Sequence, residues 1–133
     1  MAFKIRNSDL NNETISIINQ FIEMDINAVA AFRLSRIIKY ISPILEDKLK
    51  AEKKIYDKWI IRDEFGNPVH PKDNNGIEML DSFAISDMNA FTKEISDLMN
   101  VENEIPFDKL NFEDLDLKTA KIKDILKLDF LFN

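Results

Sequence analysis

The sequence contains no cysteine, which excludes disulfide frameworks, thiolate zinc sites and cysteine nucleophiles together. Glycine is scarce as well. Gly66 and Gly76 are the only two, whereas a Walker loop or a dinucleotide fingerprint needs several to bring backbone N–H groups against phosphate. A single histidine, His70, rules out a two-histidine metal motif. No stretch approaches the roughly 20 apolar residues of a membrane span, because the run from Ala28 to Phe32 meets Arg33 and Arg36 at once. The opening MAFKIRNSDLNN turns polar before an apolar signal core forms, so a place in the cytoplasm of the synthesising cell is expected.

What remains is a chain of 133 residues, of which 45% are hydrophobic and 32% charged, the composition of one globular domain. Its net charge of −6 argues against nucleic acid as a partner, since phosphate neutralisation needs a surplus of Lys and Arg. The charge is unevenly placed. Residues 26–62 carry nine Lys and Arg against four Asp and Glu, whereas residues 63–133 carry seven against sixteen. That polarity suits either a basic helix folding onto an acidic second half or head-to-tail association between copies.

Periodicity predicts a mainly α fold: a long kinked helix in an antiparallel helical arrangement with two or three shorter helices and an extended C-terminal arm. Met1 to Arg6 alternates as a short strand-like lead-in. Asn7, Ser8 and Asp9 offer capping oxygens for a helix over 9–23 that carries Ile15, Ile18 and Ile22. Asp25 is the expected cap of the next helix, 26–62, whose apolar positions run from Ile26 through Leu34, Ile41 and Leu49 to Trp59. Pro43 lacks an N–H and crowds the preceding carbonyl, so a kink or break near residue 42 is expected. Unbroken, this helix would measure about 55 Å at 1.5 Å per residue, and part of it should project or be covered by another chain. Gly66-Asn67-Pro68 reads as its stop, followed by a loop over 67–83. Ser86 or Asp87 caps a helix over 87–100, residues 101–116 read as an extended arm or short strand, and a last helix over 117–128 leads into an apolar tail. No internal repeat is evident.

Few residues offer chemistry. His70, between Val69 and Pro71, reads as a hydrogen-bonded loop histidine. The carboxylate clusters Asp63-Glu64 and Glu113-Asp114-Asp116 have the composition of a cation or acid/base site, but solvated surface accounts for them more simply. The Asp73-Asn74-Asn75-Gly76 stretch fails as a calcium loop, because aligning Gly76 with the sixth position puts Pro71 first and Ser82 last. The run Lys48, Lys50, Lys53, Lys54, Lys58, Arg62 is interrupted by Glu46, Asp47, Glu52 and Asp57, which favours a solvated helix face over phosphate contact. Neither catalytic residues nor a cofactor or metal are expected. Candidate protein contacts are the aromatics Tyr56 and Trp59, for which core packing is the simpler reading, and the tail residues Leu128, Phe130, Leu131 and Phe132. The tail is expected to dock on its own core or, preferentially, on a neighbour.

From Asp25 onward the order of segments is distinctive. It runs from Ala30-Ala31-Phe32-Arg33-Leu34-Ser35-Arg36 to Arg62-Asp63-Glu64-Phe65-Gly66-Asn67-Pro68. After a loop come Phe91-Thr92-Lys93-Glu94-Ile95-Ser96-Asp97-Leu98-Met99, the Glu102 and Glu104 stretch, and Asp124-Ile125-Leu126-Lys127-Leu128-Asp129-Phe130. In this the chain resembles a family of small, functionally uncharacterised helical proteins encoded by tailed bacteriophages and prophages. It departs from that pattern at Pro43 and at Asn27, where a basic residue is commoner. The resemblance implies a phage origin and a helical fold, and carries over no catalytic residue. The expected function is therefore non-enzymatic: a virion component or assembly factor binding other phage proteins and copies of itself, or alternatively a small acidic inhibitor of a host enzyme or defence complex.

Overall fold

The computed structural model describes residues 2–115 and 122–133. The protein is mainly helical, with one long helix and a small two-stranded sheet. In chain order the elements are strand β1 (Phe3–Arg6), helix α1 (Asn12–Glu23), helix α2 (Ala28–Trp59), helix α3 (Met88–Met99), strand β2 (Glu102–Ile105) and helix α4 (Ile122–Lys127). Where the sequence suggests one domain, the packing separates two compact units: Met1–Lys48 with Met99–Asn133, and Leu49–Leu98. The long helix α2 contributes to both.

The first unit holds the apolar core. Asn7–Asp9 form a 3-10 turn rather than the start of α1, and Leu10 leaves it in an extended conformation with its side chain fully buried. Asn11 then caps the helix, its side chain accepting from Thr14 N at 2.8 Å. Asn27, not Asp25, caps α2 by accepting from Val29 N at 2.9 Å and Ala30 N at 3.3 Å. Ile17, Ile18 and Phe21 of α1 share a core with Ala30, Leu34, Ile37, Ile41 and Leu45 of α2. The helix continues through Pro43 without a break. Pro43 lies on the exposed side, where water can satisfy the Lys39 carbonyl that loses its N–H partner. Strands β1 and β2 pair antiparallel, Phe3 opposite Ile105 and Arg6 opposite Glu102, which buries Ile5 and Ile105 in the same core.

The apolar tail closes this unit. Leu128, Leu131 and Phe132 are buried and Phe130 is half-buried. Leu110 N donates to Leu131 O, and Asn133 N donates back to Leu110 O, both at 2.9 Å. These side chains are committed to their own core, so the expected insertion into a neighbour gives way to docking in the same unit. Pairing of the main chain at Leu110 decides it, because it satisfies the tail's polar backbone while the side chains bury. Of the predicted final helix, 122–127 is helical, and 117–121 lies outside the described residues, as does Asp116. The tip of the basic run also changes role: Lys48 is buried and its Nζ donates to Leu10 O, whereas Lys50, Lys53 and Lys54 are exposed.

In the second unit α2 ends at Trp59, earlier than predicted; none of its residues from Leu49 on is buried, and its contacts with α3 gather near its C-terminus. The Tyr56 ring meets Phe91 of α3 edge-on at 5.1 Å. Glu94 of α3 accepts from Trp59 Nε1 at 2.9 Å and from Lys58 Nζ at 2.6 Å. Those two bonds hold the Glu94 carboxyl below its ordinary range, Lys58 contributing most. Asp87 caps α3 as expected, accepting from Ala90 N at 3.0 Å.

Candidate protein-contact site

The segment predicted as a helix end followed by a loop is instead a short ladder carrying two matching hairpins. Ile61 N donates to Ala84 O at 2.9 Å, Val69 N to Ile61 O at 2.8 Å and Ala84 N to Val69 O at 2.7 Å. Ser86 N donates to Trp59 O at 2.8 Å, tying the ladder to the end of α2. From this base Arg62 pairs with Pro68, and Lys72 with Glu78, each closing a five-residue loop.

The two loops are built alike. Asp63 N donates to Asn67 O and Gly66 N to Asp63 O; ten residues on, Asp73 N donates to Ile77 O and Gly76 N to Asp73 O. In each loop one aspartate oxygen accepts two backbone N–H groups: Asp63 Oδ1 takes those of Phe65 and Asn67, Asp73 Oδ1 those of Asn75 and Ile77, all between 2.9 and 3.0 Å. Gly66 and Gly76 have φ of +81° and +78°, the left-handed position that closes such a hairpin with a bulge. Gly66 is therefore a hairpin residue and not the helix stop read from the sequence. Arg62 braces the first loop, with Nη1 donating to Gly66 O at 3.0 Å and Nη2 bonded to Asp57 at 3.1 Å.

A repeat thus exists that sequence reading missed. Its signal is short: a basic residue, Asp, two free positions and Gly, at Arg62–Gly66 and again at Lys72–Gly76. The carboxylates of Asp63 and Asp73 hold backbone rather than acting as free ligands or bases. Among the described residues no group of three or more His, Asp or Glu side chains converges as a metal site. His70 Nδ1 lies 2.7 Å from Ser82 O, an acceptor only, so this nitrogen carries the proton; the ring stacks on Phe83 at 5.5 Å.

What the hairpins and the segment after the second one present is apolar. Phe65 is 80% exposed, Ile77 63% and Leu80 71%, with Met79 and Phe83 also exposed. They stand in acidic surroundings, since residues 63–87 hold six Asp and Glu against one Lys. Of the residues singled out from sequence, Tyr56 and Trp59 belong to this unit and contact α3, Tyr56 remaining 40% exposed. Leu128, Leu131 and Phe132 are in the core of the other unit. Tip residues such as Phe65 escaped notice because nothing in their periodicity distinguishes an exposed side chain from a buried one. Among the described residues, no helix is long and apolar enough to cross a membrane.

Compared with protein-family models, curated proteins and solved structures, the chain matches none of them.

Proposed function

We propose that the protein is a non-enzymatic binding protein whose working surface is the pair of aspartate-braced hairpins, serving a tailed bacteriophage as a virion component or assembly factor. The observation that carries the binding role is the exposure of Phe65 and Ile77 on loops in which one aspartate oxygen already holds two backbone N–H groups, with Leu80 exposed in the turn that follows the second loop. Large apolar side chains on such loops cost solubility and add nothing to their own unit's core, which is the signature of a surface kept for a partner. Pre-bonded loops also lose little conformational entropy on docking. The phage assignment rests on the sequence resemblance, and other phage proteins are the partners it implies.

Quantitative mass spectrometry of purified virions tests the assignment. Stoichiometric presence supports a virion component, and loss of particle assembly when the gene is deleted supports an assembly factor. A chain absent from virions and dispensable for assembly contradicts both. The acidity of residues 63–87 favours a second reading, an inhibitor that presents carboxylates to a basic site on a host protein. That reading expects normal particles from the deletion but poor growth on a restrictive host.

A further inference from the structure

The second hairpin carries a reactive pair that the first lacks. Of the thirteen asparagines only Asn75 is followed by glycine. Glycine leaves the backbone nitrogen uncrowded, and apart from its chain neighbours nothing lies within 4 Å of where a Cβ of Gly76 would stand, so a cyclic imide has room to close there. Asn75 is exposed, and water reaches it. The matching position of the first hairpin is Phe65, which has no side-chain amide. The asparagine of that loop, Asn67, precedes Pro68, whose nitrogen bears no hydrogen to lose.

The loop also restrains the pair. Gly76 N donates to Asp73 O at 3.0 Å, which engages the hydrogen that has to leave before the nitrogen can attack. Asp73 Oδ1 holds Asn75 N at 2.9 Å and Ile77 N at 3.0 Å, one on each side of the reacting bond. Attack therefore waits for the loop to open, and opening breaks both charge-assisted bonds.

We propose that Asn75 is the chain's preferred site of spontaneous deamidation and that the Asp73 brace sets its rate. The Gly76 nitrogen gives its proton to solvent base and attacks Asn75 Cγ. The new C–N bond displaces the side-chain NH2, which takes a proton from water and leaves as ammonia, and a succinimide remains. Water then adds to one of the two imide carbonyls. Opening at one gives aspartate, and opening at the other gives isoaspartate, in which the main chain runs through the former side chain. Either product adds a negative charge to the hairpin. Isoaspartate also lengthens the main chain by one carbon between the two N–H groups that Asp73 Oδ1 holds, so the carboxylate no longer fits both. The reaction involves no partner and is independent of the contact role of the hairpins. With age the second hairpin is altered while the first keeps its shape.

Peptide mapping by mass spectrometry tests this on the full chain, kept folded in warm, mildly alkaline buffer. The peptide holding Asn75 is expected to gain one mass unit before any other asparagine peptide, with isoaspartate among the products. Unfolding in urea, or removing the brace by Asp73→Ala, should speed the conversion by about tenfold or more, since the loss of one charge-assisted hydrogen bond is enough for that factor. Asp73→Asn, which keeps one acceptor oxygen, should fall between. In the converted wild type, amide exchange should quicken at Ile77 and stay unchanged at Phe65. Unchanged exchange at Phe65 in the Asp73 variants shows that only the second loop has opened. If Asp73→Ala loosens the whole unit, Asp73→Asn decides. Another asparagine converting first overturns the proposal, as does an Asp73 variant that converts at the wild-type rate.

Discussion

Leu131→Ala probes whether the tail belongs to its own unit. Leu131 and Leu128 are fully buried and Phe132 nearly so, and the Phe132 ring meets Phe112 edge-on at 5.7 Å. Truncating a buried leucine removes its transfer free energy and leaves a cavity, together about 2–5 kcal/mol. For a unit of this size each kcal/mol lowers Tm by about 4–8 °C, so a fall of roughly 8–40 °C is expected. Phe130→Ala, at a half-buried position, should cost clearly less. Thermal unfolding followed by circular dichroism gives the shift, and amide exchange at Ile5 and Ile105 reports whether the strand pair loosens with it. If Leu131→Ala melted within about 1 °C of wild type, the cavity argument would fail and the tail would have to be anchored elsewhere.

Gly76→Ala meets no neighbouring atom, so its cost is conformational alone, about 1–2 kcal/mol for a left-handed residue, visible as faster exchange of the Ile77 amide. Asp63→Ala removes the acceptor for two backbone N–H groups and should speed exchange at Phe65 and Asn67 while leaving the first unit unchanged. Lys48→Met strands the Leu10 carbonyl and is expected to cost about 1–3 kcal/mol in a denaturant titration. Glu94 has its carboxyl lowered from the ordinary 4.5, so its bonds to Lys58 and Trp59 contribute fully above that pH and are lost as pH falls through the lowered value. Trp59 fluorescence should follow that loss in acid, and Glu94→Gln should abolish the transition.

The helices were legible because each carries a local signal strong enough to stand alone. Asp87 before Met88, or Ile17, Ile18 and Phe21 at helical spacing, needs no tertiary knowledge. Caps were harder to read, since Asn7, Asp9 and Asn11 are equivalent by type, and only the burial of Leu10 assigns the cap to Asn11. The strands at each end of the first unit were individually readable, but their pairing joins Phe3 to Ile105 across most of the sequence, a contact no local pattern encodes. The hairpins were misread for a physical reason. A left-handed glycine followed by Asn-Pro closes a helix or a bulged turn equally well, and the choice depends on Val69 and Ala84 completing the ladder. Lys48 likewise looked solvated until the Leu10 carbonyl gave its ammonium a buried partner.

The proposal that the exposed apolar side chains of the second unit are the working surface is tested most directly by placing Phe65→Ser, Ile77→Ser and Leu80→Ser together in the gene of the phage that the proposed function implies. These side chains are exposed, so the purified variant should keep the wild-type Tm. The measurement is the yield of complete particles by electron microscopy after a single infection cycle. A collapse in yield with an unchanged Tm is the expected result, and wild-type yield from the triple variant would contradict the account.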